Sequence, residues 1–355
     1  MLKKSVFIAA VGIVSIGIAN TSYAASFTGW DKMIMPPAAS AKRPVNYRYQ
    51  YVRFGVGAYM VRNPKVEIGT LGNGTVPLAT IGTSKITPRY DLAVSYAFYN
   101  PSSSWVTKVF GHDNAVELKL DYLNSKEHKT NSNLGTGQVW YIDGSGSVTT
   151  GPQPLTDFKL DSSHRYINTG LYYKGKWITS NPKIDFLPRV GAVFTNLKEK
   201  YNYSLVYGTG PGTTSLDVEN YKVTANYYGL AAGGKLAYNL QPRCAVFGDL
   251  EAQLLRTSYN LKAYQDAVVG ILVGKRSVSY HHSKITYRAI AAIGGEYKLN
   301  DKITSPAVEI KGGIDHWGYN PKIVPPNNAG SRAVYVAGNA QNNLFAEVKV
   351  TVPIG

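Results

Sequence analysis

The chain has 355 residues and carries 38 lysines and arginines against 22 aspartates and glutamates, giving a formal net charge of +16. Its single cysteine, Cys244, excludes an internal disulfide framework. After the first residues, no apolar stretch is long enough for a membrane-spanning helix, so a membrane location would require a closed barrel.

Residues 1–24 have the features of a signal peptide. Two lysines precede an apolar run over residues 5–18, and small residues follow that favour cleavage after Ala24. The apolar run is shorter than the roughly 20 residues that a spanning helix needs. We therefore expect an exported protein with a periplasmic N-terminal segment over residues 25–46 and one folded domain over residues 47–355.

Alternation of apolar and polar residues with a period of two is the main signal in the rest of the chain. At 114–124, valine, leucine and tyrosine alternate with Glu117, Lys119 and Asp121, a spacing that no amphipathic helix would produce. The segment at 164–174 is tyrosine-rich and shows no clear sidedness. The ten segments predicted as strands are 47–62, 88–99, 114–124, 164–174, 184–200, 221–239, 243–260, 281–299, 305–318 and 341–352.

The connections between these segments differ in length. Gln241-Pro242 and Asn300-Asp301 are predicted tight turns, and residues 139–144 are predicted to form a small hairpin inside a long connection. Short turns on one side and long loops on the other are typical of outer-membrane barrels, with the short turns in the periplasm. The predicted connections of medium length are 100–113 and 175–183, and the predicted long polar loops are 63–86, 125–163, 201–220, 261–280 and 319–340.

These patterns predict an all-β fold, an antiparallel transmembrane β-barrel of about ten strands (range about 8–12). An even strand number leaves both chain ends in the periplasm, as an exported chain requires. The alternative is a soluble secreted β-sandwich, which would carry polar residues on the faces assigned here to lipid. The runs of valine, leucine and tyrosine on those faces argue against it.

Parity along each strand assigns the charged residues that face the lumen. The basic and acidic members nearly balance, so we expect the positive excess to lie in loops, at Lys126, Lys129, Lys198, Lys200, Lys275 and Arg276. The predicted lumen-facing residues are Arg53, Arg89, Asp91, Glu117, Lys119, Asp121, Arg189, Lys235, Asp249, Glu251, Arg288, Glu296, Glu309, Asp315, Lys311, Glu347 and Lys349.

One third of the chain carries a family resemblance. Residues 227–255, YYGLAAGGKLAYNLQPRCAVFGDLEAQLL, form a glycine-spaced strand, a tight turn with a cysteine and an alanine- and leucine-rich strand, and residues 185–191 have a similar preceding strand. This stretch resembles the barrel hairpins of Legionella-type major outer-membrane proteins and their porin-like relatives. The resemblance implies a pore-forming outer-membrane barrel and supplies no catalytic residue.

Two functions remain open at the sequence level. The first is a porin-like barrel of a Gram-negative outer membrane, monomeric, that lets small solutes permeate or has a structural envelope role. The second is a non-conducting barrel whose basic loops bind lipopolysaccharide or a host or surface ligand, in the manner of an adhesin. Nucleic acid is not an expected partner of an exported protein.

Catalysis has little support in the sequence, and no cofactor is expected. His281-His282-Ser283 is the arrangement that most resembles a catalytic or metal site. Neighbouring residues of a strand point to opposite faces, so His282 and Ser283 would not meet, and the two histidines would not share a metal. We therefore expect no catalytic residues, no metal ligands and no enzymatic activity, including that of a lipid-modifying enzyme.

Overall fold

The computed structural model describes residues 50–61, 66–71, 76–81, 85–99, 105–137, 140–143, 146–149, 153–178, 181, 183–210, 213–269, 272–301, 305–324 and 335–354. The expected signal peptide and periplasmic segment lie outside these residues.

The described residues form long antiparallel strands and one short helix. No helix among them is long and apolar enough to cross a membrane. The elements are β1 (Tyr51–Val61), β2 (Val66–Leu71), β3 (Val76–Ile81), β4 (Lys85–Tyr99), α1 (Trp105–Phe110), β5 (Asp113–Gly137), β6 (Trp140–Asp143), β7 (Gly146–Thr149), β8 (Gln153–Gly175), β9 (Trp177–Ile178), β10 (Ile184–Gly210), β11 (Thr213–Gln241), β12 (Cys244–Val269), β13 (Leu272–Lys298), β14 (Ala307–Val324) and β15 (Tyr335–Pro353).

Ten of these strands close into a barrel. The order is β1, β4, β5, β8, β10, β11, β12, β13, β14 and β15, so each strand pairs with its successor in the ring. The barrel closes where β15 returns to β1, with Tyr51 opposite Pro353 and Tyr59 opposite Phe345. The two-residue strand β9 adds to β10 at one end, and β2–β3 and β6–β7 are separate hairpins. The expected antiparallel ten-stranded barrel is confirmed.

Each predicted strand segment falls in one barrel strand, but several predicted loops are wrong. Most of 125–163, 201–220 and 261–280 continues the flanking strands, because β5, β8, β10, β11, β12 and β13 are 23 to 29 residues long. The connection at 100–113 contains α1, and 63–86 contains the hairpin β2–β3. The predicted small hairpin near 139–144 is present as β6–β7. The turn between Gln241 and Cys244 is tight, as predicted.

The strands rise to different heights above the end that carries this turn, here called the short-turn end. Strand β13 pairs with β14 only as far as Arg288 opposite Trp317, whereas it pairs with β12 up to Leu272. On the other side, β4 begins at Lys85 while β5 continues along β8 to Gly137. Six consecutive strands, from β5 to β13, therefore extend beyond the rest of the barrel as a tall sheet.

An exposed apolar belt surrounds the lower part of the barrel. Every barrel strand contributes to it, and some side chains, such as Ile293 at 75% exposure, are almost fully outside. Between these outward residues, the alternate positions carry buried charges, such as Asp91 and Lys349. Representative belt residues, one from each strand in ring order, are Phe54, Leu92, Leu118, Leu171, Phe194, Leu230, Leu250, Ile293, Ile310 and Val348.

The polarity of the two faces inverts in the tall sheet. On β12, Leu250 and Leu254 point outward below, whereas Leu261 is buried inside above and Lys262 points out. The inner face of the tall sheet carries, on β8 and on β10 to β12, an apolar core like that of a water-soluble protein. Its buried members include Phe158, Leu160, Leu197, Tyr201, Leu205, Tyr221, Val223, Leu255, Tyr259, Leu261 and Ala263.

Candidate functional site

The barrel interior below the tall sheet is filled with charged side chains that neutralise each other. Near the seam between β1 and β15, the Lys349 ammonium lies 3.1 Å from Asp91 and 3.2 Å from Glu347. Lys311 reaches the same Glu347 at 3.2 Å. Lys349 is 1% exposed, so this ammonium is stabilised by the two carboxylates and not by bulk water.

A second group surrounds Glu117, on the inner face of β5. Lys174 from β8 contacts the Glu117 carboxylate at 2.9 Å, Arg53 from β1 lies 3.7 Å away, and the Tyr51 hydroxyl donates a hydrogen bond to it. Arg53 also contacts Asp91 at 3.4 Å. Side chains from β1 and β8 thus converge on the Glu117 carboxylate of β5, and Asp91 of β4 links this group to the group at the seam.

A third group of ion pairs centres on Arg189 of β10, on the wall opposite the seam. Its guanidinium lies 2.8 Å from Asp249 and 2.9 Å from Glu251, both on β12. Lys311 contacts Asp249 at 3.5 Å, and the Tyr172 hydroxyl donates a hydrogen bond of 3.1 Å to Glu251. The contacts cross the interior and do not only join neighbouring strands, so the opposite walls are held together.

Lys235 of β11 completes the network at the short-turn end. Its ammonium lies 2.7 Å from Glu309 and 3.1 Å from Glu296. It also stands 3.8 Å above the centre of the Phe247 ring, a cation–π contact. A half-buried lysine with two carboxylates and an aromatic face has its charge well compensated.

A dry central layer separates this network from the apolar core of the tall sheet. Arg288 of β13 forms two hydrogen bonds to Asp315 of β14, at 2.8 and 2.7 Å, and its guanidinium lies 4.4 Å from the centre of the Trp317 ring. Arg89 contacts Asp121 at 3.0 Å. The residues of the central layer are Tyr59, Arg89, Asp121, Tyr166, Arg288, Asp315, Trp317 and Phe345.

The central layer leaves little free space. Arg288 is 1% exposed and Asp315 and Asp121 are 0% exposed, so water does not reach the charged groups that fill this level. A cavity of about 20 Å³ lies above the layer, lined in part by Tyr59, Tyr166 and Trp317. That volume holds about one water molecule.

All the charged residues assigned to the lumen from the sequence lie inside the barrel, and each contacts another of them. Lys119, for example, lies 3.1 Å from Asp121. Sequence reasoning missed Lys174 and the buried pair His164–Glu199, whose atoms are 3.1 Å apart. Lys174 and His164 lie in the tyrosine-rich segment without clear sidedness. Glu199 has the parity of Arg189 on β10, which would have identified it.

The histidine–serine segment has the geometry expected from strand alternation. His282 packs against the buried Tyr259 at 5.7 Å, whereas His281 lies opposite Asn260 and lines an outward pocket with it. Ser283 follows on the outward parity, so His282 and Ser283 lie on opposite faces. Among the described residues, no group of three or more histidine, cysteine or acidic residues is arranged to hold a metal ion.

An apolar outer belt around an ion-paired interior defines a transmembrane β-barrel. No protein-family model and no curated protein matches this chain. Solved structures similar to it include the outer-membrane protease OmpT from Escherichia coli, at 10% identity over 86% of this chain and 97% of that chain with a TM-score of 0.42. Another is a FadL homologue from Pseudomonas aeruginosa, at 10% identity over 91% and 96% with a TM-score of 0.24.

The toluene transporter TodX from P. putida is similar at 8% identity over 87% of this chain and 92% of that chain, with a TM-score of 0.27. At such identities and scores, these similarities add no argument about function. The resemblance to Legionella-type major outer-membrane proteins stays a prediction.

Proposed function

We propose that this protein is a non-conducting barrel of a Gram-negative outer membrane that holds its tall sheet at the cell surface. The observation that carries the proposal is the dry central layer, in which charged and aromatic side chains fill the cross-section. Passive permeation, the other function open from the sequence, would require an aqueous path through Arg288, Asp315 and Trp317. These side chains are 0–4% exposed.

The energetics of the interior support a permanent closure. A ten-stranded barrel is little wider than the eight-stranded kind, whose interior is filled by side chains. Opening a path past Arg288 and Asp315 would separate a buried ion pair, and an uncompensated buried charge costs about 3–5 kcal/mol. Opening through the tall sheet would also expose its apolar core. Thermal fluctuation would therefore open the barrel rarely.

The outer surface supports one orientation of the barrel in the membrane. The apolar belt would lie in the hydrocarbon region, with the short-turn end in the periplasm and the tall sheet outside, following the usual arrangement of short and long connections. The barrel closes on itself through β1 and β15, so we propose that it works as a monomer. We assign it no catalytic role, because the interior carboxylates, such as Glu117 and Glu251, are engaged in ion pairs.

Single-channel recording tests the proposal. The protein is purified from the membrane fraction, its folding is verified by a mobility shift between cold and boiled SDS samples, and it is inserted into planar bilayers in concentrated KCl. We expect insertion without discrete conductance steps.

The matched variant Tyr166→Ala/Trp317→Ala removes two aromatic rings that contact Arg288, at 5.6 and 4.4 Å from its guanidinium. This variant should leak small ions, which shows that the assay detects an opened layer. Stable conductance steps from the wild-type barrel would contradict the proposal and make permeation the function.

A further inference from the structure

Basic side chains form two adjacent rows across the outward face of the tall sheet, and together they are called the basic rows. In the upper row, Lys200 lies directly opposite Lys222, which lies opposite Lys262 on the next strand. In the lower row, Arg165 lies opposite Lys198. The upper row is Lys126, Ser163, Lys200, Lys222, Lys262 and Ser279, and the lower row is Asn124, Arg165, Lys198, Thr224, Asn260 and His281.

The register forces like charges together. Neighbouring strands are about 4.8 Å apart, and like charges that face each other across a strand pair are destabilising. No carboxylate belongs to either row, and Asp161, one row higher, is paired with His128 at 2.7 Å. In the part of the chain that the structure describes, none of the lysines or Arg165 in the basic rows has an ion-pair partner. The basic rows therefore lack a counter-charge within the described protein.

A pocket spans the basic rows between β11 and β13 and the outward rung below them, Asn226 with Ser258. It has a volume of about 390 Å³, and ammonium groups, hydroxyls and side-chain amides line it. Each of these groups can donate a hydrogen bond to a phosphate oxygen. The lining residues are Lys222, Thr224, Asn226, Ser258, Tyr259, Asn260, Lys262 and His281.

The position of the rows identifies the occupant. They begin two outward rungs above the pair of Phe194 and Tyr228, which lie opposite each other in the apolar belt and are both exposed. The next outward pair above, Asn196 with Asn226, is already polar and joined by a hydrogen bond of 2.6 Å. A ligand that fits both surfaces has a phosphorylated head and apolar chains. Basic residues at the edge of a hydrocarbon layer attract anionic lipid headgroups in this way.

We propose that the basic rows bind the phosphate groups of a glycolipid of the outer leaflet, the lipid A part of lipopolysaccharide, while its acyl chains lie along the belt residues of β10 to β13. This proposal rests on the membrane orientation proposed above, but it does not depend on whether the barrel conducts. Lys222 and Lys262 are the central ligands, because they line the pocket from neighbouring strands. Lys198, Lys200 and Arg165 extend the site toward β8.

The test compares two double variants that lose the same charge. In Lys222→Gln/Lys262→Gln, the pocket loses both central cations. In Lys108→Gln/Lys183→Gln, two exposed lysines near the short-turn end are replaced. Each protein is reconstituted in phosphatidylcholine nanodiscs, and binding of bis-phosphorylated lipid A is titrated. We expect affinity to fall at least about tenfold in the first variant and to stay unchanged in the second.

Thermal stability supplies a second measurement, in which the order of the variant and the wild type should reverse when lipid A is added. In detergent without lipid A, Lys222→Gln/Lys262→Gln should raise the unfolding temperature relative to the wild type, because like-charge crowding is removed. With lipid A present, the wild type should be the more stable of the two. A variant that is less stable in both conditions would mean that the lysines have a structural role, and this would overturn the proposal.

Three further outcomes would overturn, respectively, the binding site, the assignment of a lipid ligand and the membrane orientation. Equal lipid A binding by both variants, in barrels that still show the cold-SDS mobility shift, would overturn the site and leave the membrane orientation intact. Displacement of lipid A by inorganic phosphate at equal concentration would indicate a site for free anions and overturn the lipid assignment. Recovery of the wild type in the aqueous fraction without detergent would overturn the membrane orientation itself.

Discussion

Arg288 and Asp315 form a bidentate ion pair across neighbouring strands at the level where the interior changes from charged to apolar. The two hydrogen bonds measure 2.8 and 2.7 Å, and the Tyr59 hydroxyl donates a third hydrogen bond to Asp315 at 2.8 Å. Above this level, β13 and β14 no longer pair. The ion pair therefore locks the last rung at which these two strands belong to one closed sheet.

Arg288→Ala should destabilise the barrel strongly, because it leaves the Asp315 carboxylate buried without its cation. We expect a loss of about 3–5 kcal/mol in the free energy of unfolding, measured by urea titration in lipid vesicles. The double variant Arg288→Met/Asp315→Leu should recover most of this loss, since no buried charge remains. A single variant as stable as the wild type would mean that water already reaches this level.

An arginine on the apolar belt should cost free energy according to its depth. Leu250 lies in the middle of the apolar outward stretch of β12, between Val246 and Leu254, and Leu250→Arg should reduce stability by about 2–4 kcal/mol. Leu240 is also exposed but lies beside the short turn, so Leu240→Arg should cost about 0–1 kcal/mol. The same vesicle titration measures both. Equal costs for the two variants would contradict the position of the belt.

Two glycines of similar strand context should respond oppositely to alanine. A Cβ on Gly57 of β1 would lie 2.4 Å from the Ala346 carbonyl oxygen and 2.6 Å from the Glu347 Cβ, whereas one on Gly248 would have nothing within 4 Å. Gly57→Ala should destabilise by about 1–3 kcal/mol through overpacking at the seam. Gly248→Ala should be neutral or stabilising by up to about 1 kcal/mol. Cold-SDS mobility after graded heating ranks the two variants.

The ion pair between Arg243 and Asp301 at the short-turn end should respond to pH. Its two contacts are 2.8 and 2.9 Å, and the hydrogen bond from Arg243 holds the pKa of the Asp301 carboxyl below its usual value. A lowered folded-state pKa gives stability that is full above the unfolded value of about 3.9 and is lost as pH falls through the folded value.

The difference in unfolding temperature between the wild type and Asp301→Asn should therefore stay constant from about pH 8 to about pH 5 and shrink in stronger acid. Both groups are largely exposed, so the difference should be small and should decrease with added salt. A difference that already changes near neutral pH would point to another titrating group.

The number of strands and the face to which each residue points could be predicted from the sequence where outward residues are apolar and inward residues are polar. The heights of the strands could not. On β5 beyond Tyr122, outward Lys126 alternates with inward Ser125 and Glu127, so both faces are polar and the contrast disappears. On β11, a signal was present but inverted, because Tyr221 and Val223 point inward and Lys222 points out. In the proposed orientation, such inverted alternation marks the part of a strand that lies beyond the membrane.

The alignment of the basic rows could not be predicted from the alternation pattern of single strands. Lys126, Lys198 and Lys200 were predicted to lie in loops, which is wrong, because Lys126 lies on β5 and Lys198 and Lys200 lie on β10. Their alignment with Lys222 and Lys262 depends on the register of four strand pairs, which is set by packing along the whole length of each hairpin. A single-residue slip would turn these lysines inward.

The seam between β1 and β15 has a consequence for assembly. All other barrel pairs join barrel strands that are consecutive along the chain, so each pair can form locally as a hairpin before the ring closes. The β1–β15 pair joins the two extremes of the barrel sequence, and its loop-closure entropy is compensated only when the final strand is available. A nascent barrel must therefore persist as an open curved sheet with two unpaired edges, and insertion and closure become late, coupled events.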